Sequence, residues 1–521
     1  MPRFFAGRIP WPSFMLLGLL IFLAGCERPD PESSSVPTTA PTAQPAAAVP
    51  TIDPALLLAP PTPIIHTPVA EPLVAYFGTP TPDPTRTADN GDQGLHIVSF
   101  GETLGFIAQL YGSTIEELLQ LNDLNVNDFI YVGQEIRLPV QAELTGSSFK
   151  IIPDSELVYG PMARAFDVRG TIATFDGYLH RYQEEVEGRL LDGPAIVQLV
   201  ANRYSVNPRL LLTILEYRSG WLTQSMVIDD GHPLGHLGPG SRGLYNQLGW
   251  AANLFNLGYY GRAEGGRTGL LISDNTRVRF APDINDGTAG VQTMLAAHSN
   301  ATFTTWQTDV SPTGFFAAFS RLFGNPFAYT YDPLWPGDLQ QPPLRLPWAD
   351  GETWYFTGGP HGGWASGSAW AALDFVPHHE QLGCYPSDAW VRAMAPGLVV
   401  RSDMGAVVVD LDGDGYAGTG WVIVYMHIET RDRVPVGTYV QTGDPIGHPS
   451  CEGGFSNGTH VHVARMFNGR WLSADGWLPF NMDGWVSQGT GREYNGSLVK
   501  GDTIKVACQC REERNAITAG E

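Results

Sequence analysis

Three short clusters in the C-terminal half of the chain carry side chains able to hold a metal and move protons. The first is Gly359-Pro360-His361-Gly362-Gly363, followed by Leu373-Asp374-Phe375. The second is Tyr425-Met426-His427-Ile428, and the third is Asn457-Gly458-Thr459-His460-Val461-His462-Val463. In the third cluster the apolar alternation predicts a strand. Successive strand side chains point to opposite faces, so His460 and His462 share one face and Val461 and Val463 the other. Two imidazoles side by side are costly if both charge, so one metal ligand beside one acid/base accounts for the pair. A catalytic zinc takes three protein ligands from His, Asp or Glu and keeps one position for water. His361, Asp374 and His462 supply such a set. His427 and His460 are then left to orient the water, carry protons or stabilise a tetrahedral oxyanion.

The surroundings of these clusters read as β structure. Gly397-Leu398-Val399-Val400-Arg401, Ala406-Val407-Val408-Val409 and Trp421-Val422-Ile423-Val424-Tyr425-Met426 are β-branched runs between Gly-rich turns, as in an antiparallel sheet. The order His, Asp, Tyr-x-His, His-x-His resembles the lysostaphin-like (LytM-type) zinc endopeptidases. Ala395-Pro396-Gly397-Leu398-Val399-Val400, Val436-Gly437-Thr438-Tyr439-Val440 and Thr442-Gly443-Asp444-Pro445-Ile446-Gly447 sit where that family has its connecting strands and turns. The resemblance spans residues 345–490. It implies that His361, Asp374 and His462 bind Zn2+, that His427 and His460 are catalytic, and that the substrate is a peptide bond in peptidoglycan stems or cross-bridges. The interval from His361 to Asp374 is longer than the family's common pattern and holds a Gly/Ser/Trp-rich insert. A loop can close such an interval at little entropic cost. His378 and His379 lie just beyond and are the alternative to His361. Trp364 and Trp370 in the insert, if exposed, could stack on sugars, although most Trp residues are core. Asp410-Leu411-Asp412-Gly413-Asp414-Gly415 resembles the start of a calcium loop, but its twelfth position is Trp421 rather than Glu, and an acidic hairpin turn is the plainer reading.

Other elements must position this domain. Leu95-His96-Ile97-Val98 reads as a strand. Gly101-Glu102-Thr103-Leu104 opens a helix through Ile107, Leu110 and Tyr111, and Thr114 with Glu117 forms a capping box for a second helix that Asn122 ends. A turn and a last strand follow over 130–138. This βααβ unit, residues 94–140, resembles a lysin-motif (LysM) domain, which implies binding of N-acetylglucosamine-containing glycans. Residues 185–335 read as mainly helical. Ile196, Leu199, Val200 and Tyr204 share a helix face, Asn207-Pro208 is a cap and first-turn pair, and segments 250–257, 289–298 and 315–322 repeat the pattern. The stretch from Val206 to Gly220 is similar to lysozyme-like transglycosylases. That similarity implies Glu216 as a glycosidic acid, which would need an apolar pocket. The Glu-Ser pair of that family is interrupted here, and a structural carboxylate is the competing reading.

At the N-terminus Arg3 and Arg8 precede an apolar run, Phe14 to Leu23, that ends in Leu23-Ala24-Gly25-Cys26. This reads as a secretory signal, residues 1–26. Its ending resembles the bacterial lipobox, which implies cleavage before Cys26, lipidation of its thiol and attachment to the membrane. Residues 27–93, rich in Pro, Thr, Ala and Ser, read as a disordered tether. Residues 491–521 read as a C-terminal tail. Cys384, Cys451, Cys508 and Cys510 remain for an oxidising compartment, and Cys384–Cys451 is the candidate bridge because both flank the site. The net charge of -22 leaves no basic footprint for nucleic acid. The expected protein is multidomain α+β: a LysM unit, a mainly α, lysozyme-like middle and an antiparallel β zinc domain. The leading function is an exported peptidoglycan endopeptidase. The alternatives are an enzyme that also cuts glycan at Glu216, and a wall-binding regulator that needs no metal.

Overall fold

The computed structural model describes residues 95–520 apart from 99–101, 112, 127, 132–133, 139–143, 239 and 379–381. The signal, Cys26 and the tether lie outside the described residues, as does His379. Among the described residues no helix is long and apolar enough to cross a membrane.

The first unit has the expected βααβ order: β1 (Leu95–Ile97), α1 (Leu104–Leu110), α2 (Ile115–Leu121) and β2 (Glu135–Arg137). β1 and β2 are antiparallel, with His96 opposite Ile136. Each helix opens on a threonine hydroxyl: Thr103 Oγ1 accepts from the Phe106 N–H and Thr114 Oγ1 from the Glu117 N–H. These bonds satisfy donors that the first turn leaves over. The capping box at Thr114 is only half made. The Glu117 carboxylate instead accepts from Ser113 Oγ and pairs with Arg277 of the helical region. Asn122 ends α2 by donating to the Leu118 carbonyl and by exchanging bonds with Arg137 on β2. Val98, Ile107, Ala108, Leu118 and Ile136 fill the small core.

The helical region begins well before residue 185. Ile151, Ile152, Leu157 and Val158 are buried in one core with the principal helices, α3 (Gly193–Tyr204), α4 (Pro208–Ser219), α5 (Leu244–Ala263), α6 (Asp286–Ala296) and α7 (Phe315–Phe323). The early helical elements span three to six residues, too short to show a helical period. Asp192 caps α3, Asn207 caps α4, and α4 stops at Gly220 with φ +67°.

The C-terminal domain is built on a nine-stranded antiparallel sheet. Its strands are β3 (Thr353–His361), β4 (Ala372–Pro377), β5 (Gly397–Asp403), β6 (Ala406–Asp410), β7 (Trp421–Met426), β8 (Tyr439–Val440), β9 (Val461–Phe467), β10 (Arg470–Trp471) and, after a second small sheet, β11 (Ala516–Thr518). The order is β8-β5-β6-β7-β9-β4-β3-β11, with β10 paired to β9. Both faces are covered. Val407, Val409, Ile423, Tyr425, Val461 and Val463 enter the domain's own core. Ala406, Val408, Val422, Val424, Ala464 and Met466 pack in one core with the helical region. His462 has the parity of Ala464 and Met466, so it lies on the face that meets the helices.

In the segment read as a tail, 491–521, the described residues 491–520 are folded. They supply two strands of the four-stranded second sheet and the edge strand β11, whose Ala516 pairs with Tyr355. These strands are three to five residues long, too short for their alternation to stand out in the sequence.

Candidate metal centre

Sheet register brings the three clusters together. His462 on β9 lies directly opposite Asp374 on β4. A register shift near the end of β3 sets Gly358 opposite Asp374 and His361 opposite Ala372. Only a residue without a side chain fits at 358, where a Cβ would stand 2.5 Å from Asp374 Oδ2. His427 follows β7 with φ +61°, an uncommon conformation for a non-glycine residue. His460 precedes β9 and bridges to Ser450.

The donor atoms of the first set converge. His361 Nε2 is 3.0 Å from His462 Nδ1 and 3.2 Å from Asp374 Oδ1, and His462 Nδ1 is 3.4 Å from Asp374 Oδ1. Ligands about 2.0–2.1 Å from a tetrahedral zinc stand about 3.3 Å apart, so the triangle has the size that ion needs. The remaining ring nitrogens fix the tautomers. His361 Nδ1 lies 2.8 Å from the Gly359 carbonyl oxygen and His462 Nε2 3.1 Å from that of Gly363. A carbonyl only accepts, so each of these nitrogens carries a proton and the opposite nitrogen offers its lone pair. Two lone pairs and a carboxylate aimed at one point repel unless a cation stands among them. Asp374 Oδ1 is buried and takes no hydrogen bond of good geometry from the described residues. The donor set therefore fits zinc.

His427 and His460 form the second layer. Their rings lie 4.4 Å apart, and His460 Nε2 is 3.7 Å from Asp374 Oδ1. His427 Nδ1 donates to the Glu452 carbonyl and His460 Nδ1 to that of Gly458. Both Nε2 atoms are thus left as bases beside the triangle. Burial, with His460 and His462 close by, holds the His427 pKa well below the usual imidazole range. Burial lowers that of His462 as well, which favours its neutral form. Burial opposes ionisation of Asp374; His361 and His460, when protonated, outweigh it and would hold the carboxyl well below the usual range.

The bridge expected from sequence is present: Cys384 and Cys451 form a disulfide with Cα atoms 5.8 Å apart. It ties segment 383–385 to the loop that carries Ser450, Glu452 and Gly458, and Thr459 adds hydrogen bonds to Gly383 and Tyr385. Cys508 and Cys510 pair with each other. His378 is exposed and bonds Tyr355 through Nδ1, outside the triangle.

The remaining sequence readings each carry a plainer alternative. The Glu216 carboxylate accepts from the Leu222 and Thr223 N–H groups and from Thr223 Oγ1. It braces the turn after α4, with both oxygens engaged. Trp364 is buried, not exposed. The Asp410, Asp412 and Asp414 oxygens lie within 4.8 Å of one another. Asp410 accepts from the Asp412 and Gly415 N–H groups, Asp412 from Asp414, and Asp414 from Tyr416 and Arg164, which is the bonding of a hairpin turn. Tyr494 was not foreseen. Its ring stacks on His361 at 4.2 Å, from a segment with no sequence signal of its own.

Comparison with known proteins divides along these regions. Residues 96–139 match the family model for the LysM domain, and residues 150–336 match that for the LasA N-terminal domain. Over 342 residues the chain is 25% identical to protease LasA of Pseudomonas aeruginosa, covering 62% of this chain and 75% of the relative. Over 53 residues it is 38% identical to the N-acetylmuramoyl-L-alanine amidase sle1 of Staphylococcus epidermidis, covering 10% and 16%. Among solved structures, the M23 metalloprotease pseudoalterin from the deep sea aligns at 24% identity and TM-score 0.28, over 32% of this chain and 96% of that one. The catalytic domain of lysostaphin from Staphylococcus simulans aligns at 24% identity and TM-score 0.18, over 24% and 89%.

Proposed function

We propose that this LysM-bearing relative of protease LasA is an exported peptidoglycan hydrolase whose C-terminal domain, from residue 345 onward, is a zinc endopeptidase. The observation that carries the proposal is the convergence of His361 Nε2, Asp374 Oδ1 and His462 Nδ1 at mutual distances of 3.0 to 3.4 Å. These three atoms would hold zinc, which would supply Lewis-acid activation of a water near neutral pH. Asp374 offsets the ion's charge, and the Gly359 and Gly363 carbonyls keep both histidines aimed. His427 and His460 do the proton work. With Nδ1 held by a carbonyl, each offers Nε2 to accept a proton from the attacking water and return it to the departing amine. In their protonated forms they stabilise the oxyanion of the tetrahedral intermediate.

The LysM unit binds glycan and holds the peptidase near its substrate, which raises the effective substrate concentration without new contacts at the active site. Lipidation at Cys26 anchors the chain to a membrane, with residues 27–93 as the tether to the wall. Glu216, with both oxygens committed to a turn, takes no part in bond cleavage. The test is metal content set against hydrolysis. The purified chain should carry one zinc and release new peptide amino termini from peptidoglycan. Asp374→Ala should carry none and release none. A zinc-free wild-type chain that retains full hydrolysis would overturn the proposal.

A further inference from the structure

The helical region reaches the metal centre through the insert between His361 and Asp374. The Gly363 carbonyl that accepts from His462 Nε2 belongs to this insert. Gly363 in turn is fixed from three sides. Its N–H donates to the Ala369 carbonyl, its Cα lies against the Trp471 ring so closely that a Cβ would stand 2.6 Å from it, and its neighbour Trp364 is buried at 8% exposure. Two guanidinium groups, Arg203 from α3 and Arg401 from β5, each lie 5.4 Å from the Trp364 ring centroid. Tyr204 of α3 meets its edge at 6.4 Å. Arg203 is itself immobilised. It is 2% exposed, pairs with both carboxylate oxygens of Glu187 at 2.8 Å and donates to the Tyr245 hydroxyl. The tip of the insert is held by α5: Asn253 Oδ1 accepts from the Gly367 N–H at 2.7 Å and Asn253 Nδ2 donates to Ser366 Oγ.

We infer that Arg203 and Trp364 are positioning residues for the zinc ligand His462, so that the helical region is a working part of the metal centre and not a separate module. This inference rests on the metal-centre reading above. The physical route is short. A cation against an aromatic face fixes the Trp364 ring. The ring fixes the backbone at 363, and that carbonyl sets the tautomer and orientation of His462 and raises the basicity of its Nδ1. Outer hydrogen-bond partners of this kind contribute about 10–100-fold to metal affinity.

The test uses the chain with its helical region intact. Zinc affinity is measured by competition with a chromogenic chelator, and the geometry of the site by the visible spectrum of the cobalt(II)-loaded protein. Arg203→Gln and Trp364→Leu should weaken zinc by about 10–100-fold and alter the cobalt spectrum. Trp364→Phe, which keeps an aromatic face, should recover most of the affinity. Arg169→Gln, which breaks a surface pair with Asp192 in the same region, should change neither readout. If Arg203→Gln or Trp364→Leu loses its fold by circular dichroism, Asn253→Ala, which frees only the insert's tip, serves instead and should move both readouts in the same direction. Folded variants that bind zinc as wild type does, with an unchanged cobalt spectrum, would overturn the inference and leave the metal centre intact. Failure of the wild-type chain to bind zinc would overturn the metal-centre reading itself.

Discussion

Asp374 and His462 face each other across two antiparallel strands, with Oδ1 and Nδ1 3.4 Å apart. Backbone pairing therefore sets this distance, and side-chain flexibility contributes little to it. Asp374→Ala should reduce zinc affinity by more than the roughly 10–100-fold that outer partners contribute. His462→Ala should do the same. Equilibrium dialysis with elemental analysis checks both.

His427 and His460 should separate from the ligands in their effect. His427→Ala and His460→Ala are expected to keep zinc but lose about 10²–10⁴-fold in peptide hydrolysis, the usual contribution of positioned acid–base groups. Metal content measured on the same preparations as the rate distinguishes the two roles. Loss of zinc in either variant would move that histidine into the ligand set.

The Cys384–Cys451 bridge closes a loop of sequence separation 67. In the chain-entropy view such a loop contributes about 4 kcal/mol. Cys384→Ser with Cys451→Ser should lower stability by that order in chemical denaturation. Hydrolysis should fall further than zinc binding, because the tethered loop holds the carbonyls behind His427 and His460 but not those behind His361 and His462.

A pH signature should come from the helical region. Burial, and then Asp286 and Asp332, push the Asp154 carboxyl from 3.8 up to about 7. A carboxyl whose folded pKa is raised binds its proton more tightly in the folded state. Its stabilising contribution is present below about pH 4 and is lost as pH rises towards 7. Asp154→Asn should flatten that part of the stability curve, read as the difference in melting temperature between the two proteins across the range. An unchanged difference across that range would contradict it.

Glu216→Gln should cost about 1 kcal/mol through weakened bonds to the turn at 222–223, with no change in glycan products. Loss of glycan cleavage at unchanged stability would restore its role as an acid.

Much of the site was legible in the sequence because strand periodicity is local. Val461 and Val463 declared a core face, which placed His460 and His462 together on the other. The metal triangle itself depends on long-range register, and a spacing pattern only hints at that. The LysM unit was legible through its two threonine caps and its apolar period. The outer layer was not. The Gly363 carbonyl, the Tyr494 ring and the Arg203–Trp364 contact join residues far apart in the chain, and backbone carbonyls leave no mark in a residue string. The start of the helical region at about 150 and the folded segment after 491 were missed because their elements are too short to show a period.

The most direct measurement is digestion of purified peptidoglycan by the soluble chain, with products read by mass spectrometry. Wild type, His462→Ala and Glu216→Gln are run together, each with and without a zinc chelator. The expected result is new peptide termini from wild type and Glu216→Gln that disappear with chelator and with His462→Ala. Folded, zinc-loaded wild type that cuts no peptide bond would contradict the account.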